Sequence, residues 1–392
     1  MKRSQAQWSD LCVPASQALK RITPGMSIFL SSGPAEPRTL IQALMQDQGG
    51  RLQDLELVQL VSFGDAISLD TIRSQKYRLK TFFSGWVASE AITQGHVDLI
   101  PSRFSRIPEL IRSGRLSIDV AFIQLSPPDS SGYCGLGLAV DLAREAMHQA
   151  QVVVGEINAD MPRTFGDTFV HLSELDVLVQ SQAEPFVVPR WPVDAVYDRI
   201  GENVASIIDH GSCLAFSIGP VYESLSQYLQ SKRHLGIHTP FFTDAVMELV
   251  RSGAVDNRNK RVFTGRSVAS YALGSAELLT WLDENPFVDF QPMGKVFDPA
   301  YIGRNPQFVT VLPARKVDLS GRIALHSGPG NVTAGPGEAA DFVNGAELSA
   351  GGMNVIALPS QNLEGKSNIR LSVEQYPNLF SLREAVDAVV TE

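Results

Sequence analysis

Residues 118–125, IDVAFIQL, constrain this chain more than any other stretch. The run is almost unbroken in apolar side chains and leaves no polar face for water. A strand in an antiparallel sheet with one wet face alternates; a strand covered by helices on both faces reads like this one. Similar runs recur at Ser27–Leu30, Leu55–Val61, Leu79–Phe83, Val152–Ile157 and Val177–Gln180. Between them lie segments with helical spacing at Pro37–Gln46, Ala88–Gln94 and Leu138–Gln151. Strands alternating with helices predict an α/β fold with parallel sheets.

The alternation breaks at 183–192, AEPFVVPRWP, where prolines cluster before a new helix at Val193–Ile208. We place a domain boundary there, giving domains 1–188 and 189–392. A chain of 392 residues suits two domains with full cores. The second half predicts strands at Cys213–Phe216, Arg261–Thr264, Phe308–Leu312 and Val355–Leu358. Helices are predicted at Tyr222–Leu229, Asp244–Ser252 and Ser267–Asp283. IFLSSGPAEP (28–37) and LAFSIGPVYE (214–223) share an apolar strand, Ser-x-Gly-Pro and a following helix. The echo is either chance or the mark of two similar doubly wound α/β domains. In open sheets of that kind, ligands bind outside the carboxyl ends of the strands.

Composition narrows the function classes. Hydrophobic residues make up 44% and charged residues 19%, as in a globular chain. A net charge of −9 argues against nucleic acid as a partner. No window holds the ~18 uninterrupted apolar residues of a membrane span, and the N-terminus lacks a signal peptide's apolar core. Cys12, Cys134 and Cys213 fit neither zinc spacing nor CxxC, which suits reduced thiols in the cytoplasm. GxGxxG, GxxxxGK[ST] and GxSxG are absent, and the histidines show no paired metal spacing.

Loops carry what remains. HSGPGNVTAGPGE (326–338) is glycine-rich and enters a helix; such backbone can approach a ligand and offer amides to an anion. Glu338 stands at that helix start, where an acid is also a simple capping residue. SPPDSSGYCGLG (126–137) reads equally as a turn or as a loop lining a site. In NADMPRTFGD (158–167), Arg163 pairs with Asp167 to brace the loop, or holds an anion. LGIHTPFFTDAV (235–246) is strand, corner and helix, with Pro240 at a corner where α/β enzymes often present a reactive side chain.

Taken in order, these segments resemble the acetyl-CoA hydrolase/transferase family, class I CoA-transferases that include 4-hydroxybutyrate CoA-transferases. The resemblance rests on FFSGWVASEAITQGHVDLIP, IPELIRSGRLSIDVAFIQLSPPDSSGYCGLGLAVD and NADMPRTFGDTFVHLSELD. It continues through DENPFVDF, VDLSGRIAL, DFVNGAELSAGGMNVIALPS and the closing VVTE, and so spans nearly the whole chain. It implies two α/β domains of similar topology, coenzyme A or acyl-CoA as substrate or ligand, and no metal or redox cofactor. It also implies a chemistry. A glutamate carboxylate attacks an acyl-CoA thioester, a glutamyl-CoA thioester forms, and a second acid takes the CoA. Each step passes through an oxyanion that backbone amides must face.

Against that pattern this chain departs in three places. The corner G-[IL]-H-T-E reads Gly236-Ile237-His238-Thr239-Pro240, so the resemblance puts proline in the catalytic glutamate's place. The loop G-I-G-x-x-P reads Ser217-Ile218-Gly219-Pro220-Val221-Tyr222. The element S-G-V-G-G-Q-x-D-F reads Ala334-Gly335-Pro336-Gly337-Glu338-Ala339-Ala340-Asp341-Phe342. Gly219, Gly335 and Gly337 are the expected oxyanion and CoA-binding glycines. Three functions fit: an enzyme with a relocated acid, Glu338 first and Glu223 or Asp244 behind it; a non-catalytic acyl-CoA binder; or a transferase that tolerates Pro240. The resemblance leaves open a homo-oligomer and a fused domain beyond the closing VVTE.

Overall fold

The run at 118–125 becomes β5 (Val120–Leu125) of a parallel sheet, buried along its whole length. The computed structural model describes residues 8–47, 52–61, 77–83, 92, 95–325, 337–374, 379–380 and 383–392. The helix expected at Ala88–Gln94 lies largely outside them. Two compact units emerge. The first holds Met1–Ser102, Arg106–Val187 and Leu279–Met293; the second holds Arg103–Ser105, Val188–Leu278 and Gly294–Glu392.

In the first unit β5 joins β1 (Ser27–Leu30), β2 (Leu55–Gln59), β3 (Tyr77–Thr81), β4 (Val97–Leu99), β6 (Val152–Ile157) and β7 (Val177–Gln180). The order is β7-β6-β5-β1-β2-β3-β4, and every pair is parallel. The chain winds outward from β1 one way and then, from β5, the other way. That reversal defines a doubly wound sheet. After β1, helix α1 (Arg38–Gln46) starts without a side-chain cap of its own. Glu156 of β6 supplies one across the sheet, accepting the amides of Thr39 (3.3 Å) and Leu40 (2.9 Å) and the Ser181 hydroxyl (2.7 Å). Burial pushes the Glu156 pKa up, and these hydrogen bonds oppose the shift. The distant segment Leu279–Met293 belongs here because Asp289–Phe290 pairs with Phe165–Gly166 and Asp283 accepts the Arg163 amide at 2.8 Å.

The second unit is built on a five-stranded parallel sheet of β8 (Cys213–Ala215), β9 (Gly236–Ile237), β10 (Phe308–Pro313), β11 (Met353–Ala357) and β12 (Ala388–Val390). Its order is β9-β8-β10-β11-β12. The chain steps from β8 to β9 on one side and returns to β10 on the other, so the reversal falls between β8 and β10. Both echoed Ser-x-Gly-Pro segments follow a parallel strand, β1 and β8. Each glycine takes positive φ, Gly33 at 54° and Gly219 at 125°, a conformation that side chains resist.

Some expectations are corrected. Arg261–Thr264 is not a strand. Phe263 (φ 52°) and Gly265 (φ 77°) turn the backbone there, and the Arg261 and Val262 amides go to Asn305 Oδ1. Ser267–Asp283 is not one helix. Ser267–Ala269 and Tyr271–Ala272 are strands, and only Ala276–Leu282 is helical. Asp244 fixes that later start by accepting the Ser275 amide and hydroxyl. The helix expected from Leu138 begins at Ala143, because Asp141 turns the chain at φ 23° and takes the Leu142 and Ala143 amides. Among the described residues, no helix is long and apolar enough to cross a membrane.

Candidate active site

Three chain corners of the second unit carry the residues that the sequence singled out. The first follows β8: Phe216, Ser217, Ile218 and Gly219 lead into helix α2 (Pro220–Leu229). Gly219 precedes the helix with φ 125°, and a Cβ there would meet nothing within 4 Å. Backbone conformation, not crowding, is the reason for glycine. Pro220 takes the first helical position, where its missing N–H would have had no helical partner.

The second corner follows β9. Pro240 is buried, and its carbonyl accepts the amides of Ser270 (3.3 Å) and Tyr271 (3.1 Å). Beneath it lies a fully buried polar cluster. His238 Nε2 donates to the Val296 carbonyl at 2.8 Å, which leaves Nδ1 to accept from Asn305 Nδ2 at 3.3 Å. Lys260 Nζ donates to the Ile237 (2.6 Å) and Arg266 (2.7 Å) carbonyls. Burial pushes the His238 pKa down to about 3; the Lys260 charge adds to the shift and the Val296 hydrogen bond opposes it. His238 is therefore neutral when folded. Its folded pKa lies below the unfolded ~6.5, so its stabilising effect is present above pH 6.5 and is lost as pH falls. At pH 5 the loss is about 2 kcal/mol. The gap in native-state hydrogen-exchange protection at the β9 amides between wild type and His238→Gln, corrected for intrinsic exchange rates, should be smaller at pH 5 than at pH 7. An equal gap at both pH values would contradict this.

The third corner is Gly337-Glu338, which opens α3 (Ala339–Leu348). Gly337 has φ 59°; Gly335 and the loop from His326 lie outside the described residues. Glu338 occupies the cap position, yet its side chain makes no capping bond to the helix. The residue is half-buried. Burial pushes its pKa up, and the charge of Asp341 adds to this. Its own amide and a hydrogen bond from Ser217 pull the other way. Tyr222 lies close enough that the Glu338 charge, after burial, helps raise the phenol pKa. The Tyr222 hydroxyl itself donates to the Val311 carbonyl at 2.5 Å. The fold thus brings Glu338 to the Ser217 corner, at the reversal between β8 and β10.

The remaining candidates are engaged elsewhere. Glu223 accepts Arg190 Nε at 3.0 Å, and Arg190 also pairs with Glu248. Asp244 is held by Ser275. Arg163 does brace its loop, but its partner is Asp129 (2.6 Å), with the Tyr133 carbonyl at 3.0 Å. Asp167 pairs instead with Arg144 at 3.1 Å. Asp129 also accepts the Ser131 and Tyr133 amides, which makes 129–133 a tight turn leading into the strand Tyr133–Gly135. Sequence reasoning did not single out Ser217 or Thr239. Both stand in the quoted corners, but nothing local in the sequence marks their partners.

The two ends of the chain match one family. Residues 1–189 match the acetyl-CoA hydrolase/transferase N-terminal domain and residues 274–392 its C-terminal domain. The 4-hydroxybutyrate coenzyme A transferase of Clostridium kluyveri is 32% identical over 391 residues, covering 98% of this chain and 91% of that protein. A succinyl-CoA:acetate/propanoyl-CoA:succinate CoA transferase of Fasciola hepatica is 31% identical over 94% of this chain and 77% of its own. Among solved structures, RipA from Yersinia pestis superposes with a TM-score of 0.89 at 26% identity, covering 99% of this chain and 90% of that one. A 4-hydroxybutyrate CoA-transferase from Porphyromonas gingivalis superposes with a TM-score of 0.81 at 28% identity, covering 98% and 89%. The chain belongs to the acetyl-CoA hydrolase/transferase family, whose members act on acyl-CoA.

Proposed function

We propose that this chain binds acyl-CoA and does not pass CoA through a glutamyl thioester at position 240. One observation carries the reading. Pro240 is a buried corner whose carbonyl is committed to two backbone amides, and it offers no carboxylate. The loss of an amide donor at Pro220 points the same way, because an oxyanion needs preorganised N–H groups. The relatives are named for 4-hydroxybutyrate and for succinyl-CoA, acetate and propanoyl-CoA. We carry over acyl-CoA as a class and no particular acyl group.

The position of Glu338 favours a second reading, acyl-CoA hydrolysis. Among the described residues, its carboxyl has a hydroxyl, Ser217, and another acid, Asp341, as neighbours. Burial lifts its pKa from the ordinary carboxylate range toward the working pH, which suits a general base. In that reaction Glu338 takes a proton from water, and the water oxygen adds to the thioester carbonyl. The C–S bond breaks, and the CoA thiolate leaves and is protonated.

Intact-protein mass and free-thiol release, with acetyl-CoA, butyryl-CoA and succinyl-CoA, separate these readings, together with calorimetry for binding. The proposal expects saturable binding and no covalent CoA. Hydrolysis adds thiol release that Glu338→Gln abolishes while binding persists. A CoA adduct on wild-type protein that an added carboxylic acid discharges would overturn the proposal.

A further inference from the structure

The parallel ladder between β8 and β9 stops where a proline interrupts it. Gly236 N–H donates to the Ser212 carbonyl at 2.9 Å, and His238 N–H to the Leu214 carbonyl at 3.1 Å. Two residues on, the next rung falls between residue 240 and Phe216. Proline has no N–H to give, so the backbone cannot form it. A side chain takes its place. The Thr239 hydroxyl accepts the Phe216 amide at 2.9 Å and donates to the Phe216 carbonyl at 2.5 Å, with the Phe241 carbonyl farther off at 3.2 Å. One hydroxyl can do both, since it carries one donor and two acceptor sites. Thr239 and Phe216 are buried, so water does not compete for these groups.

We infer that Thr239 is a positioning residue, whose hydroxyl replaces the rung that Pro240 cannot make and so holds the Phe216–Ser217 corner against Glu338. Its consequence for function rests on the reading of Glu338 as the acid of this site. Among the described residues, the groups acting on the Glu338 carboxyl are Ser217 from the β8 corner, Tyr222 from α2 and Asp341 from its own helix. Loosening the corner withdraws the Ser217 hydrogen bond, the only one of these three that favours the charged carboxylate.

The test follows the Glu338 carboxyl by NMR titration of protein carrying carbon-13 in its glutamate carboxyls, the signal assigned by its loss in Glu338→Gln. Ser217→Ala should raise the titration midpoint. Thr239→Val, which keeps shape and removes the hydroxyl, should raise it in the same direction. Thr239→Ser should leave it near the wild-type value. The decisive variant is Thr239→Val combined with Pro240→Ala. Alanine restores the backbone N–H, so the rung to Phe216 re-forms and the midpoint returns. If Thr239→Val alone fails to fold, recovery of folding by the added Pro240→Ala reads the same result. A Thr239→Val effect that Pro240→Ala does not rescue overturns the inference. So does an unmoved midpoint in folded Thr239→Val protein when Ser217→Ala moves it. An unmoved midpoint in Ser217→Ala would instead remove the Ser217–Glu338 contact on which the reading of Glu338 depends.

Discussion

Pro240→Glu should acquire a covalently bound CoA when incubated with acyl-CoA, while wild-type protein keeps its own mass. The hydrogen bonds of this corner run through backbone groups rather than the proline ring. The carbonyl of residue 240 is already held by the Ser270 and Tyr271 amides, and β9 is paired with β8 up to the corner. A glutamate there also brings an N–H, which the Phe216 carbonyl can accept on its second lone pair beside the Thr239 hydroxyl. Its carboxylate supplies the nucleophile that the family resemblance assigns to this place. The oxygen attacks the thioester carbonyl and CoA thiolate leaves; the thiolate then attacks the glutamyl carbonyl of the new anhydride, whose C–O bond breaks to release the acyl group as its carboxylate and leave a glutamyl-CoA thioester. The expected mass gain is CoA less one water, on the peptide containing residue 240. Turnover should remain low, because Pro220 leaves the neighbouring loop one amide short and a missing oxyanion donor costs roughly 10²–10³-fold in rate. The adduct can accumulate where turnover does not. A folded Pro240→Glu protein that binds acyl-CoA and never gains the adduct would show that position 240 does not face the thioester.

Legibility in the sequence followed the range of the forces involved. Most strands of the two parallel sheets could be read because each must bury two faces, which leaves a local mark in runs such as Val120–Leu125 and Val152–Ile157; the short edge strands Val97–Leu99 and Ala388–Val390 carry no such run and were not expected. The corners could be read because Gly219 and Pro220 are local turn and helix-start chemistry. Failures came where backbone direction is set from a distance. Asp244 decides where the helix at Ala276 begins, and Asn305 takes the amides that an Arg261–Thr264 strand would have used. Arg163 illustrates the same limit for charges: Asp167 is near in sequence, but the fold gives it Asp129. At the candidate site, Glu338 could be singled out as an acid replacing a glycine. Its neighbour Ser217 could not be, because only the sheet order brings the β8 corner to the α3 start. The Thr-Pro pair at 239–240 held a usable signal. A hydroxyl residue just before a proline at a strand end can supply the hydrogen bond that the proline lacks.

Phe342→Ala should be the most destabilising single change at this site, at about 3–5 kcal/mol. Phe342 lies in α3, shortly after Glu338, and is only 1% exposed. Its ring meets Phe297 edge-on at 5.6 Å and the His238 ring edge-on at 6.4 Å, and stacks with Phe308 at 6.3 Å. Its carbonyl accepts the Thr310 hydroxyl of β10 at 3.2 Å. Truncation removes the ring contacts and leaves a cavity that the neighbouring rings, themselves fixed by one another, fill poorly. Two units make a single global unfolding midpoint hard to interpret, so native-state hydrogen exchange at the α3 amides is the better measurement. Protection there should fall by at least about 10²-fold, with Phe342→Leu in between, since 1.4 kcal/mol corresponds to about tenfold. The effect should reach the β9 corner, because His238 packs on the same ring while its Nε2 holds the Val296 carbonyl. Unchanged protection at α3 in a folded Phe342→Ala protein would mean that the helix is held by something other than this cluster. With the cluster intact, Glu338 and the Pro240 corner rest on one aromatic core. The separation between them is then set by packed rings, which substitutions at the corners leave in place. That is why Pro240→Glu can be expected to change the chemistry without first rebuilding the site.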